Sequence, residues 1–495
     1  MQRNIMLQQL QLTEEWDMII IGGGATGLGA AVDAASRGYK TLLLEAHDFA
    51  KGTSGRSTKL VHGGVRYLAQ GNIKLVMEAL RERGYLLKNA PHLTAVVAFI
   101  VPVYNWFDKY FYGLGLKIYD VLSAKLSIGK TKWLNNTETL QHLQGINDSN
   151  LKGGILYYDG QFDDARLAIA LATTAVDHGA TVLNYARVLA LIKTNGQVKE
   201  VMAEDTINNK TYELKAKIVI NATGVFTDDV MQMDEPEHSK IVSPSQGIHL
   251  VVDKKFFPGN NAMMIPKTAD GRVLFAVPWH DKVVLGTTDT PVDNINFEPK
   301  PLEAEIDFVL QHANKYLSQH ITRNDVRSSF AGLRPLVKQK AAKSTALLSR
   351  EHTIMVSKSN LVTITGGKWT TYRKMAEDVV NIATLAAKLP KSRCITKDLA
   401  IGDVQHSKTK TGNQFIHQTF NYSEAEISYF VQEEMAMTVE DILARRTRLL
   451  FLDAQAAIDA APSIANILAE IFDKDEQWVK QQVNDFIQLA ANYKL

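Results

Sequence analysis

"DMIIIGGGATGLGAAVDAASRGYKTLLLEAHD", residues 17–48, decides the fold. The apolar run Met18–Ile21 reads as a buried strand and ends in Gly22-x-Gly24-x-x-Gly27. An alanine-rich stretch of helical character follows and stops at Gly38, a residue suited to the left-handed position just past a helix C-terminus. "KTLLLE" then reads as a second buried strand ending in Glu45. The unit is βαβ, with each part where dinucleotide binding requires it. Gly22 and Gly24 allow a tight turn and close backbone approach to a pyrophosphate at the positive end of the helix, and Gly27 lets helix and strand pack closely. Glu45 follows at the distance from which a carboxylate accepts hydrogen bonds from the adenosine ribose.

This motif alone does not separate FAD from NAD. The discriminating segment lies far downstream. "KAKIVINATGVFTDDV" (215–230) reads as a strand running into Ala222-Thr223-Gly224, a second place where backbone can approach the dinucleotide. A helix and strand are expected before it, within 163–191. A nucleotide domain assembled from distant pieces is the habit of FAD enzymes of the glutathione-reductase type, and the combination favours FAD.

Composition bounds the rest. At 495 residues, with 45% hydrophobic and 22% charged residues, the chain is expected to form a few globular domains. A net charge of +2 does not argue for nucleic acid. The single cysteine, Cys394, rules out an intrachain disulfide and a dithiol redox centre, so a reducing, cytoplasmic compartment is expected. No uninterrupted apolar signal segment precedes the first strand, and no run has the length of a membrane span. The 13 histidines show neither HxH nor HExxH spacing, and no metal site is expected.

The accumulated motifs resemble those of FAD-dependent glycerol-3-phosphate dehydrogenases. The resemblance rests on "IIIGGGATGLG", "TSGRSTKLVHGGVRYL" (53–68), "FDDARL" (162–167), "NATG", "VPWHDKVVLGTTDT" (277–290), "AGLRPLV" (331–337) and "TITGGKWTTYRKMAED" (363–378). It continues into "EEMAMTVEDILARRTR" (433–448) and covers roughly residues 15–455. It implies oxidation of sn-glycerol 3-phosphate to dihydroxyacetone phosphate, with non-covalent FAD as hydride acceptor and membrane quinone as the next carrier. It also implies a cytoplasmic protein held peripherally at the inner face of the cell membrane. A homodimer is left open, because the gap between "TTYRKMAED" and "EEMAMTVED" is shorter than the family's pattern.

By the same resemblance, Ala25, Thr26, Thr53, Ser57, Thr58, Lys59, Leu60 and His62 run along the FAD, as do Gly367 and Lys368 and the three residues of "ATG". The Gly63-Gly64 pair would let the chain pass close to the flavin ring. Arg66, Tyr67 and Arg334 would bind the substrate phosphate, which suits arginine forks. His249 and Thr288 would line the substrate side. Lys368, after a glycine pair, would supply the cation that stabilises an anionic reduced flavin. His62 and His249 both carry a group suited to take the hydroxyl proton, and His62 is favoured. Competing readings are an oxygen-using glycerol-3-phosphate oxidase with the same site, a flavin amine oxidase, and a non-catalytic FAD-binding module.

The expected architecture is α/β (α+β overall). A discontinuous Rossmann-type FAD domain takes 15–93, 155–240 and 335–385. An antiparallel-sheet substrate domain takes 94–154 and 241–334, where apolar and polar residues alternate between turn signals. After a polar linker (402–414), a C-terminal helical domain takes 415–495. "NWFDKYFYGLGLKIYDVL" (105–122) carries aromatics with lysines among them, the composition of an interfacial helix.

Overall fold

Residues Trp16–Ile21 form a strand with five of six side chains buried, the environment of a central strand covered on both faces. The computed structural model describes residues 1–65, 68, 71–123, 126–266, 268, 271–338, 352–402, 415–417 and 420–495. In it this strand lies at the heart of an 8-stranded sheet. It pairs in parallel with Thr41–Leu44 on one side and with the second half of Lys210–Asn221 on the other. Beyond these lie Thr181–Leu183 and Leu361–Gly366, both parallel, with His352–Val356 antiparallel at the edge. Ala186–Thr194 and Gln197–Asp205 form a hairpin that pairs with the first half of Lys210–Asn221. The strand before "NATG" therefore lies directly beside the strand before the glycine motif, as the FAD reading requires.

The helix Ala25–Ser36 packs on this sheet and against the helices Asp164–Asp177 and Tyr372–Ala386. Its small residues permit the close approach. A Cβ on Gly27 would stand 1.8 Å from the Gly22 carbonyl oxygen, and one on Gly29 would stand 2.8 Å from the Tyr372 ring.

The second sheet has 10 strands. Val242–Asp253, Lys282–Gly286, Leu274–Trp279 and Ala262–Ile265 follow one another antiparallel, and Val326–Val337 pairs along the other edge of Val242–Asp253. One contact, Ala262–Ile265 with Thr94–Val103, is parallel. The strand Gly153–Phe162 pairs with Thr94–Val103 along its whole length. It was expected to begin the second piece of the cofactor domain at 155, yet it and Leu60–Val61 belong to this sheet. All ten of these backbone pairings to Thr94–Val103 run through residues that are apolar or glycine on at least one side, so nothing in the local pattern marks the change of sheet.

The C-terminal helices Glu424–Glu434, Ala454–Phe472 and Glu476–Ala490 form an apolar core that is continuous with Val251, Trp279, Val284 and Phe330 of the second sheet. Ser423 and Glu426 form a capping box at the start of the first of these helices. In the last long helix Phe486 and Ala490 are buried, Val479 and Val483 pack at the edge, and Ile487 is exposed. Buried charges fasten this domain to the first sheet. Arg445 and Arg446 both meet Asp48, and Arg445 also holds Glu440 and Asp441, each at 2.7 Å. Most of the expected linker lies outside the described residues.

Candidate active site

Two cavities share one wall. The larger, about 350 Å³, runs over the glycine motif and is lined by Gly22, Gly24, Ala25, Thr26, Glu45, Thr53, Ala222, Thr223 and Gly224. Gly22 sits at φ +111°, and a Cβ there would stand 2.7 Å from the Ala222 carbonyl oxygen. Gly24 is the N-cap of the helix Ala25–Ser36, and the first helical amide, that of Ala25, donates to the Ser54 hydroxyl at 2.9 Å. Glu45 is held at the strand end by the amides of Gly23 (2.6 Å) and His47 (2.9 Å), and desolvation raises its carboxyl above the usual range. A positive helix end, a glycine-rich backbone cradle and a carboxylate at the far end fit the pyrophosphate and ribose of a dinucleotide.

The smaller cavity, about 180 Å³, adjoins it where Thr53, Pro335, Gly366, Gly367, Lys368 and Trp369 line both. It brings together Leu60, His249 and Arg334 from the second sheet with Ser57, Thr58 and His62 from the segments flanking Leu60–Val61. Gly366 and Gly367 have φ of +83° and +76°, and this turn aims the chain at Lys368 along the shared wall.

Arg334 enters from Val326–Val337 and is fixed before any ligand arrives. Nη1 donates to Asp289 (3.0 Å) and the Gln246 carbonyl (3.3 Å), and Nη2 to Thr287 (3.1 Å) and the Thr288 carbonyl (2.9 Å). A Cβ on Gly247 would stand 2.2 Å from Nη2, so this strand position admits only glycine beneath the guanidinium. His249 comes from the same strand as Gly247. Its Nε2 lies 2.8 Å from the Thr58 hydroxyl, its ring stacks on Phe330, and its Nδ1 meets no hydrogen-bond partner among the described residues. Burial, and then the charges of Lys59 and Arg334, hold it well below the ordinary imidazole range, so the ring stays neutral.

Several expected residues take other places. Lys59 is fully buried and donates to both oxygens of Asp164 (2.7 and 2.8 Å) and to the Gly55 carbonyl (2.9 Å). Its side chain therefore locks the turn instead of facing a cofactor. Ser57 donates to the same carboxylate from its amide and its hydroxyl. Thr288 is buried behind the cavity, where its hydroxyl donates to Glu305 (2.7 Å) and accepts from the Ile248 amide (3.1 Å). The space that a side chain on Gly63 would need is taken by Leu80 and Tyr119, so its glycine serves packing and not approach to a flavin. Arg66 and Tyr67 lie outside the described residues.

The sequence reading missed Arg56. It is buried at the cavity edge, donates to Glu298 (2.6 Å), and lies over the ring of Tyr493 at the far end of the chain. An arginine beside two small residues carries no signal of so distant a partner. Asp164, the acceptor for Lys59 and Ser57, stood in the quoted "FDDARL" without a role.

Fold and cavities together define an FAD-dependent oxidoreductase. Residues 17–373 match the FAD dependent oxidoreductase family, and 366–479 match the C-terminal domain of alpha-glycerophosphate oxidase. The chain is 38% identical over 552 residues to the mitochondrial glycerol-3-phosphate dehydrogenase of Homo sapiens, covering 99% of this chain and 76% of that protein. A probable mitochondrial glycerol-3-phosphate dehydrogenase of Caenorhabditis elegans is also 38% identical, over 94% of this chain and 72% of that one. The crystal structure of the Bacillus halodurans glycerol-3-phosphate dehydrogenase, complexed with FAD, superposes with a TM-score of 0.80 at 30% identity, covering 99% and 97% of the two chains. The chain belongs to the FAD-dependent glycerol-3-phosphate dehydrogenase family.

Proposed function

We propose that this protein oxidises sn-glycerol 3-phosphate to dihydroxyacetone phosphate and passes the electrons to membrane quinone. One juxtaposition carries the reading. A fixed arginine, a neutral buried histidine and a lysine surround a small cavity that shares a wall with the dinucleotide cradle. Arg334 binds the phosphate. Lys368, on the shared wall, favours negative charge that develops beside it. Bound FAD supplies the hydride acceptor for the C2 hydrogen.

His62 and His249 both line the cavity. Of the two, His249 suits the base: it is kept neutral, and the Thr58 hydroxyl fixes its ring. Burial is the larger cause of its depressed basicity, and the phosphate dianion, brought close to Arg334, offsets the part that the arginine's charge contributes.

The test is anaerobic addition of glycerol 3-phosphate to the purified holoenzyme. Loss of flavin absorbance near about 450 nm is expected, and an unchanged spectrum overturns the substrate assignment. Rapid peroxide formation on admitting air would favour the oxidase reading.

The quinone half of the proposal rests on the helix Trp106–Ser123. Gly113, Leu116 and Tyr119 face inward, while Trp106 (58% exposed), Phe107 (77%), Tyr110, Phe111, Leu114, Ile118 and Val121 face out. Lys109 and Lys117 lie over the rings of Trp106 and Trp133. Among the described residues no helix is long and apolar enough to cross a membrane. We infer that this aromatic face rests at headgroup level on the inner face of the cell membrane of a cytoplasmic protein, with the exposed Lys117 beside it to meet the headgroups. Wild type should co-sediment with anionic lipid vesicles, and the Trp106→Ser, Phe107→Ser, Phe111→Ser variant should lose most of that binding with its FAD retained. Equal sedimentation of both would move the contact elsewhere.

A further inference from the structure

The inward face of the same helix carries a tyrosine that reaches the turn beside His62. Tyr119, 1% exposed, accepts a hydrogen bond from the Gly63 amide at 2.6 Å and donates to Asp159 at 2.8 Å. Asp159, on the strand Gly153–Phe162, is paired in turn with Arg83 at 2.8 Å, and both are buried. Burial and Asp159 hold the Tyr119 hydroxyl well above its ordinary range, so it remains a protonated donor to the carboxylate.

The geometry points to Tyr119 as a positioning residue for the turn that presents His62 to the substrate cavity. His62 lines the cavity, and the amide of its neighbour Gly63 donates to the Tyr119 hydroxyl. The turn is pinned twice. Thr370, which lines the same cavity two residues beyond Lys368, exchanges hydrogen bonds with the His62 amide (3.2 Å) and carbonyl (3.3 Å). Tyr119 pins the next amide from the opposite side. A Cβ on Gly63 would stand 2.6 Å from both the Tyr119 oxygen and a Leu80 methyl, so the turn is seated on this hydroxyl at van der Waals as well as hydrogen-bond range. Gly64, at φ +81°, then swings the chain away. Without the hydroxyl, the buried Gly63 amide has lost its acceptor, and the turn must shift to find water. The aromatic face lies on the opposite side of this helix, so whatever seats that face also seats the support of the turn.

The inference rests on the glycerol 3-phosphate reading, and the experiment separates the two. Tyr119→Phe keeps the ring and removes only the oxygen. Flavin reduction by glycerol 3-phosphate is followed anaerobically by stopped flow and normalised to bound FAD. Alongside it, amide exchange of the 60–65 segment and thermal unfolding are measured. The limiting reduction rate of the variant should fall about 10- to 100-fold, the scale on which a small misplacement acts, with faster exchange at Gly63. Leu80→Ala, which removes the other contact beneath Gly63 but leaves the hydroxyl, should lose less per bound flavin. A variant that reduces at the wild-type rate per bound flavin overturns the assignment, even if its Tm or FAD content drops. So does a Leu80→Ala loss larger than that of Tyr119→Phe. If wild-type flavin is not reduced at all, the substrate reading fails, and unchanged exchange at Gly63 would still refute the role of Tyr119.

Discussion

Lys59→Met should destabilise the protein by about 3–5 kcal/mol, the cost of leaving a buried carboxylate without its cation. The ammonium sits where three parts of the molecule meet. Asp164 comes from the start of a helix packed on the first sheet, Trp279 and Phe330 from the second sheet, and Phe451 from the C-terminal helices. Its Nζ lies 4.9–5.5 Å from the centres of those three rings. In the variant Asp164 keeps its bonds from the Ser57 amide and hydroxyl and from the Ala165 amide, so it is not bare. It has nevertheless lost the only cation within salt-bridge distance among the described residues. Removing both charges relieves most of that penalty, so Lys59→Met with Asp164→Leu should recover much of the loss. Urea unfolding of the holoenzyme, followed by release of flavin fluorescence, measures the cycle. A single-variant loss below about 1 kcal/mol would mean that water reaches the carboxylate and that the pair acts as a surface bridge does.

The same pair shows what can be read from the chain and what cannot. The strand–glycine–helix–strand unit was legible because its signals are local: an apolar run, glycines at fixed offsets and an acidic residue at the next strand end. "NATG" was legible because the same mechanism uses the same small residues twice. The resemblance named Arg334, His249, His62 and Lys368, and these four line one cavity. Lys59 and Thr288 were assigned to ligands because they stand among ligand residues, yet each is taken up by a carboxylate, Asp164 and Glu305, that lies at a distance or on another element. Lys59 and Asp164 are 105 residues apart, Thr58 and His249 are 191 apart, and no spacing rule joins them. Gly63 was read as making room for a cofactor, whereas it makes room for Tyr119. A glycine reports that something comes close and leaves open what it is.

Arg334→Ala should lower kcat/KM for glycerol 3-phosphate by about 2–4 kcal/mol, roughly 30- to 1,000-fold, because a charge-assisted contact to the phosphate is lost. The lower part of that range is expected. Asp289 already meets Nη1 at 3.0 Å, so part of the arginine's charge is compensated before the dianion arrives. What the site gains in exchange is orientation. Four acceptors hold the fork, and no rotamer search is needed on binding. The variant also takes the Arg334 guanidinium from Asp289, which keeps its bond from Ser245, so a general loss of activity from a disturbed Thr287–Asp289 segment has to be told apart from a lost phosphate contact. Glycerol separates them, since it presents the same hydroxyl and C2 hydrogen without the phosphate. A phosphate ligand predicts that Arg334→Ala cuts turnover of glycerol 3-phosphate steeply, leaves the slow turnover of glycerol nearly unchanged, and so collapses the preference between the two. Arg334→Lys should fall between, because a point charge cannot reproduce the fork. Equal losses on both substrates would make Arg334 a brace for the loop it touches, and the phosphate would have to be held from another side of the cavity.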